Sequence, residues 1–303
     1  TRYKLVTGVQ TCALPIYELY KFNKTSNEWW DQSGEFKILH QISPIRLQYI
    51  NDKITEHFNI TGNDDLNPLK NLNIIDVGCG GGLVSVPICK LGARVTAIDA
   101  NSYNIKALSE YTKNNNLTIN TINTTVEEYI SNFPDQLYDV VLCLEVLEHV
   151  SNQRAFIPNL LKLLKPAGIL ILSTINRTIK SYAQTIIAAE YILKWVPINT
   201  HNYSKFLKPS ELCKILEANN FHLKNLTGLK FDIMTDTWYL SDNIDVNYFA
   251  CAIKNSYWGS KQKSPRINQN LYSPYISRLS ALFAGYFVAV RLYPLFLSSL
   301  LFA

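Results

Sequence analysis

Asn73-Ile74-Ile75-Asp76-Val77-Gly78-Cys79-Gly80-Gly81-Gly82 is the stretch on which the fold turns. A short apolar run ends in a segment where glycine dominates, and residues 83–91 resume an apolar pattern at helical spacing. A chain that leaves a strand, bends sharply and enters a helix while a ligand approaches its backbone needs glycine, because any side chain would block the bend or the approach. Gly92 suits the stop of that helix.

The glycine spacing separates two ligand classes. A dinucleotide fingerprint is Gly-x-Gly-x-x-Gly. Begun at Gly78 its third glycine falls on Leu83, and begun at Gly80 it falls on Ser85, so neither register works. The spacing Asp76, Gly78, Gly80, Gly82 instead resembles the first motif of class I methyltransferases, whose cofactor is S-adenosylmethionine. Asp99 closes the next strand candidate, residues 94–99, where a carboxylate accepts hydrogen bonds from both ribose hydroxyls. Its bland alternative is a cap on the helix that follows. Asp76 either holds the loop or approaches the methionine end of the cofactor.

Outward from the loop, strands and helices alternate. Residues 44–58 carry apolar side chains at helical spacing. Strands are expected over 94–99, 118–125, 138–144 and 168–174, with helices over 102–114, 126–132 and 154–164 between them. Further helices are expected over 181–195 and 209–219, and late strands over 221–229 and 248–254. The strands are continuous apolar runs, the pattern of a parallel sheet covered on both faces. The expectation is an α/β, Rossmann-like fold over residues 17–254.

The fourth strand ends in Glu145-Val146-Leu147-Glu148-His149. Open α/β sheets bind ligands at the carboxyl ends of their strands. On a helical turn, spacings of three and four would place Glu145, Glu148 and His149 on one face, where two carboxylates and an imidazole suit a divalent ion. The alternatives are carboxylates favouring a helix N-terminus, or His149 acting as a general base without metal.

Composition bounds the remaining classes. Of 303 residues 47% are hydrophobic and 17% charged, enough for a sizeable core. The net charge of +5 owes much to residues 254–278, which lack acids, and a mild basic excess fits an anionic membrane surface as well as a solvated face. The six cysteines include no Cys-x-x-Cys pair and read as reduced thiols. No Asn/Asp-Pro-Pro-Tyr-type motif for an extruded base is present, so nucleic acid is not the expected substrate. Residues 1–16 include VTGVQTCALPI, which looks like a translated sequencing adapter and is expected to be a non-native leader. Residues 255–280 read as a basic polar linker. Residues 281–303 form an apolar tail interrupted by Arg291 and Pro294, open between membrane association, a span and an artefact.

Several linked segments resemble the ubiquinone-biosynthesis O-methyltransferases. These are Trp29-Trp30-Asp31 with Gly34-Glu35-Phe36-Lys37 and Leu39-His40; Pro44-Ile45-Arg46-Leu47 with Tyr49-Ile50; the glycine loop; Leu147-Glu148-His149-Val150; Ala189-Glu190-Tyr191-Ile192-Leu193; Thr200-His201; and Asp245-Val246-Asn247-Tyr248. The resemblance implies a seven-stranded, mostly parallel sheet with helices on both faces and an antiparallel strand near its end. It implies methyl transfer from S-adenosylmethionine to a phenol or catechol hydroxyl of a polyprenylated quinol precursor. Arg46, Gly78, Asp99 and Leu144 would line the cofactor pocket, with Asp76, Gly80 and Gly82. Glu145, Glu148 and His149 match positions thought to hold Mg2+, and Glu148 and His149 are the candidate catalytic pair. The implied setting is peripheral contact with a membrane, beside other ubiquinone-biosynthesis enzymes. That means the cytoplasmic side of the inner membrane in a bacterium, or the matrix side of the mitochondrial inner membrane in a eukaryote. Ala167 departs from the glycine common after Lys-Pro in the family, and the tail after Lys254 has no counterpart. The competing readings are a methyltransferase for another small phenol or acid, and a non-catalytic S-adenosylmethionine-binding subunit of a biosynthetic complex.

Overall fold

The computed structural model describes residues 29–34, 36–60, 67–192, 200–232 and 234–255. The expected leader (1–16), linker and apolar tail lie outside those residues, Asn255 apart. Helix α1 (Lys37–His57) comes first, with Pro44 inside it. Then β1 (Asn73–Val77), α2 (Ser85–Lys90), β2 (Arg94–Asp99), α3 (Ser102–Asn114), β3 (Ile119–Asn123), α4 (Val126–Asn132), β4 (Tyr138–Leu144), α5 (Gln153–Lys162) and β5 (Leu164–Ile175) alternate as the apolar runs require. Asn101 and Asn152 cap α3 and α5 through side-chain oxygens, and Thr125 with Glu128 forms a capping box on α4.

The sheet order is β3-β2-β1-β4-β5-β8-β6-β7, with β1 to β5 mutually parallel. Successive strand residues point to opposite faces, and the core divides accordingly. Ile75, Val141, Cys143, Leu170 and Leu172 pack with Phe156, Leu160 and Leu212 on one side. Ile74, Val140, Leu142, Ile169 and Ile171 pack with Tyr49, Ile50 and Ile88 on the other. A strand buried on both faces has no polar positions to spare, which explains the unbroken apolar runs.

After β5 a capped turn, α6 (Ile179–Ser181), continues as a wide π-helix, Tyr182–Ile192, in place of the ordinary helix expected over 181–195. Residues 193–199 of that expectation lie outside the described residues. Helix α7 (Pro209–Ala218) and strands β6 (Phe221–Asp232), β7 (Thr237–Ser241) and β8 (Asn247–Lys254) complete the domain. The sheet therefore has eight strands, not seven. The additional one is β7, an edge strand paired only with β6 in a hairpin. Its half-exposed pattern gave no apolar run to read, although Thr237-Trp238-Tyr239 are strong strand formers. β5–β8, β8–β6 and β6–β7 are all antiparallel.

Gly228 pairs with both Ser241 and Tyr248, and a Cβ built there would lie 1.9 Å from the Asn243 carbonyl oxygen. The clash is with backbone, so Gly228→Ala is expected to cost about 2–3 kcal/mol, the upper part of the usual overpacking range. Urea unfolding checks this; a midpoint equal to the parent's would show that the hairpin is free to shift.

Candidate active site

The strand order reverses at β1: β2 and β3 extend one way, β4 and β5 the other. Chains leaving β1 and β4 therefore diverge at their carboxyl ends and open a crevice between them. The glycine loop leaves β1 there, and Glu145 to His149 leave β4. The two meet closely, since a Cβ on Gly78 (φ 76°) would lie 2.4 Å from a Val146 methyl.

Gly80 (φ 54°) and Gly82 (φ 90°) also occupy left-handed backbone, where glycine is favoured. The Gly80 N–H donates to Asp99 Oδ2 at 2.9 Å, and the Asn101 N–H donates to Asp99 Oδ1 at 2.8 Å. Asp99 thus braces the loop and holds Asn101, the residue that caps α3. A carboxylate has about four lone-pair sites, of which the two backbone N–H groups and the Asn104 side chain take three, leaving room for one further donor. Beside the carboxylate lies a small cleft, open to solvent, lined by residues including Gly78, Asp99, Thr124, Thr125, Val126 and Phe156. Sequence reasoning did not single out Thr124, Thr125, Val126 or Phe156. Thr124 and Thr125 follow β3, and the carboxyl-end rule was the available signal.

The Trp29 ring lies across the other side of the loop. Its atoms fill the positions that side chains on Gly80 and Gly81 would need. It stacks on Phe36 with ring centroids 3.8 Å apart, donates from Nε1 to Asn104 Oδ1 at 3.0 Å, and its carbonyl oxygen lies 2.9 Å from His40 Nε2. Trp29, Phe36 and His40, one from each of three linked segments, thus form one local assembly whose Trp29 packs on the glycine loop.

At the opposite end, α1 delivers Arg46 into the interior, 5% exposed. Its Nη2 lies 4.0 Å from Glu145 Oε1. Burial lowers the guanidinium pKa, and Glu145, Asp76 and Glu148, in that order, raise it again. Nε and Nη2 of Arg46 have no hydrogen-bond partner among the described residues. Buried guanidinium donors left open match the carboxylate of an amino-acid ligand. Leu144 ends β4 in the same core layer as Val140 and Leu142. Asp76 accepts from Ser85 Oγ at 2.6 Å, and burial pushes its pKa up to about 6.

The expected metal trio does not assemble. Among the described residues no group of three or more His, Cys, Asp or Glu side chains is placed to hold a metal ion. The spacing reading presumed a helical turn, beside the family resemblance that pointed to the same three residues; Glu145 adopts left-handed backbone at φ 55°, so the shared helical face does not form. Its Oε1 accepts from Ser173 Oγ at 2.6 Å, while Glu148 Oε2 accepts from Thr174 Oγ1 at 2.8 Å. What remains is a pair of neighbouring acids. Burial first, and Glu145 second, hold the Glu148 carboxyl well above its ordinary pKa. Its Oε1 is buried and finds no hydrogen-bond donor among the described residues. His149 sits in the following turn, its N–H donating to the Val146 carbonyl at 2.9 Å.

Comparison with known proteins decides the family. A methyltransferase domain family matches residues 46–226. Ubiquinone biosynthesis O-methyltransferase from Rickettsia akari (strain Hartford) is 54% identical over 77% of this chain and 89% of its own length. The protein of that name from Rickettsia canadensis (strain McKiel) is 52% identical over 79% of this chain and 97% of its own. The chain belongs to the ubiquinone biosynthesis O-methyltransferase family. It is an S-adenosylmethionine-dependent O-methyltransferase, and its domain spans nearly the whole of those relatives. Among solved structures, magnesium protoporphyrin IX methyltransferase from Synechocystis PCC 6803 with bound SAH superposes with a TM-score of 0.56 at 19% identity, over 79% of this chain and 99% of that one. The plantazolicin methyltransferase BpumL gives 0.53 at 16%, over 79% and 99%. At such identities these two carry the fold alone.

The buried acids set the pH dependence of the ligand-free methyltransferase. Asp76 binds its proton more tightly folded, at about 6, than unfolded, at 3.8. Its ionisation therefore opposes folding: the penalty is complete above pH 6 and shrinks as pH falls toward 4. A shift of about 2 units corresponds to about 3 kcal/mol at pH 7. Asp76→Asn is thus expected to raise the ligand-free Tm at pH 7 by about 5 °C or more while weakening S-adenosylmethionine binding. Calorimetry at pH 7 and pH 4 checks it, the gain being expected only at the higher pH.

Proposed function

We propose that this methyltransferase carries the methyl of S-adenosylmethionine to a phenol or catechol hydroxyl of a polyprenylated quinol precursor. The observation that carries the reading is the two-ended crevice. Its β1–β3 end is shaped for a nucleoside, and its β4–β5 end holds Arg46 with open donors above two neighbouring acids. In this assignment Gly78, Gly80, Gly82 and Asp99 hold the nucleoside part, and Thr124 to Val126 flank the base. Arg46 meets the amino-acid carboxylate beside Asp76 and Leu144. S-adenosylmethionine supplies a methyl already activated on a sulfonium, so the protein's main task is alignment of oxygen, carbon and sulfur. Burial favours the protonated form of the Glu148 carboxyl, and its Oε1, which finds no donor among the described residues, suits a hydrogen bond from the acceptor's hydroxyl. His149 stands beside it on the acceptor side. A divalent ion is not built into this reading, because Glu145, Glu148 and His149 do not gather around one point.

Peripheral membrane contact supports delivery of an acceptor with a long apolar chain. Ile179 is 82% exposed, and Tyr182, Ile187 and Tyr191 are exposed with it along the π-helix segment. Apolar and aromatic side chains exposed along one element suit an interfacial position. No helix among the described residues is long and apolar enough to cross a membrane. In a bacterial setting we place the enzyme on the cytoplasmic face of the inner membrane, within reach of other enzymes of the same pathway.

Methyl transfer to a demethylated quinol is expected from the purified full chain, with turnover falling at least about a hundredfold in Glu148→Ala/His149→Ala while S-adenosylmethionine still binds. Titration calorimetry and a radiolabelled methyl assay measure the two separately. Normal turnover in the double variant would remove the acid–histidine turn from the chemistry. A parent rate abolished by a chelator and restored by Mg2+ would bring the metal back.

A further inference from the structure

The Glu190 and His201 segments have no role in the reading above, yet they meet inside the protein. Glu190, on the π-helix, is 1% exposed. Its Oε1 accepts the His201 backbone N–H at 2.8 Å and lies 3.0 Å from His201 Nδ1. A carboxylate at that distance makes Nδ1 the protonated nitrogen and leaves Nε2 as the acceptor. The backbone bond fixes the residue, and the side-chain bond fixes its ring and tautomer.

The segment carrying His201 is docked on the acid–histidine turn. Lys205 Nζ donates to the His149 carbonyl at 3.1 Å. Gln153 Nε2 donates to the carbonyls of both Leu147 and Lys205, tying the two segments together. Phe206, edge-on to the His201 ring at 6.3 Å between centroids, is fully buried and anchors the end of the segment. The charged and titratable groups facing this place are His149 and Glu145 from the turn after β4, Glu190 from the π-helix and Lys205 from the docked segment.

We propose that His201, oriented by Glu190, is the general base that removes the acceptor's phenol proton. The inference rests on the phenol-methylating reading above. The O–H proton passes to Nε2 and the freed oxygen pair forms the bond to the methyl carbon. The C–S bond breaks with its electrons remaining on sulfur, and the imidazolium then releases its proton to solvent. The products are the methyl ether, S-adenosylhomocysteine and one proton. Burial, with His149 second, keeps the free imidazole pKa below its ordinary value, so the base stands unprotonated at neutral pH. Glu190 is a positioning residue: it reaches the acceptor only through the ring.

A phenol of ordinary pKa, about 10, is almost wholly protonated at pH 7.5 and needs a base, whereas a nitrocatechol is already largely ionised there. His201→Gln is expected to lower kcat on an ordinary catechol by about 10²- to 10³-fold, within the usual worth of general-base catalysis. On the nitrocatechol the loss should shrink to about tenfold or less, and the S-adenosylmethionine Kd should stay within about threefold on both. Glu190→Gln, which keeps an acceptor but not the charge, should give a smaller loss with the same substrate dependence. Equal losses on the two phenols in His201→Gln would overturn the proposal in favour of a structural role, and unchanged kcat on both would overturn it outright. Should His201→Gln fail to fold, the Glu190→Gln substrate dependence decides alone. A parent enzyme that binds S-adenosylmethionine but methylates neither phenol would overturn the phenol reading itself.

Discussion

Two chain segments have to leave adjacent parallel strands in opposite directions and still touch. That constraint, at the carboxyl ends of β1 and β4, organises everything else in the site. Gly78 sits where a Cβ would run into Val146, so the loop after β1 and the turn after β4 share one packed boundary. Asp99 ties the loop to α3, Trp29 packs on its outer surface, and Ser173 and Thr174 of β5 hold the acids of the neighbouring turn. With the boundary set this way, the open cleft beside Asp99 falls on one side and the acid–histidine turn on the other.

The second organising feature is charge. Arg46 enters the interior facing Glu145, Asp76 and Glu148, with Asp99 further along the crevice. One guanidinium cannot neutralise so many buried carboxylates, and desolvation pushes Asp76, Asp99 and Glu148 toward their protonated forms. Buried groups held in this way are costly to the empty fold and useful to a cationic ligand. The sulfonium and ammonium of S-adenosylmethionine bring the positive charge this region lacks, while the open donors of Arg46 suit its carboxylate. In the proposed assignment, stability of the free protein and affinity for the cofactor are set against each other at the same residues.

Much of the fold was legible because it depends on local chemistry. Helices α3 and α4 and strands β1, β2 and β4 fall on the residues that capping side chains and apolar runs mark out. Helix α1 begins seven residues ahead of Pro44, since a proline in one turn is tolerated when the flanking face is buried. Strand β7 was not legible, because an edge strand with one partner carries no apolar run. At the turn after β1, the glycines that take left-handed backbone could be read from spacing. The one helical face expected for Glu145, Glu148 and His149 does not form, because spacing presumes a backbone geometry and Glu145 takes left-handed torsion angles that no residue-type pattern announces. Glu190 and His201 stood out only as shared segments; nothing in a linear sequence places a helix residue against a loop residue eleven positions on.

By itself the sequence determined which strand ends in the glycine turn, that this turn lacks the dinucleotide spacing, and to which kind of enzyme the chain is similar. These depend on residue type and spacing along one continuous stretch, where steric and hydrogen-bonding rules act locally. Only the tertiary structure decided how the acids are partnered, why Trp29 and His40 belong with the glycine loop, and that Glu190 orients His201 beside the turn after β4. Those outcomes depend on burial and on contacts between distant segments. Desolvation and long-range packing have no value until the chain has closed on itself.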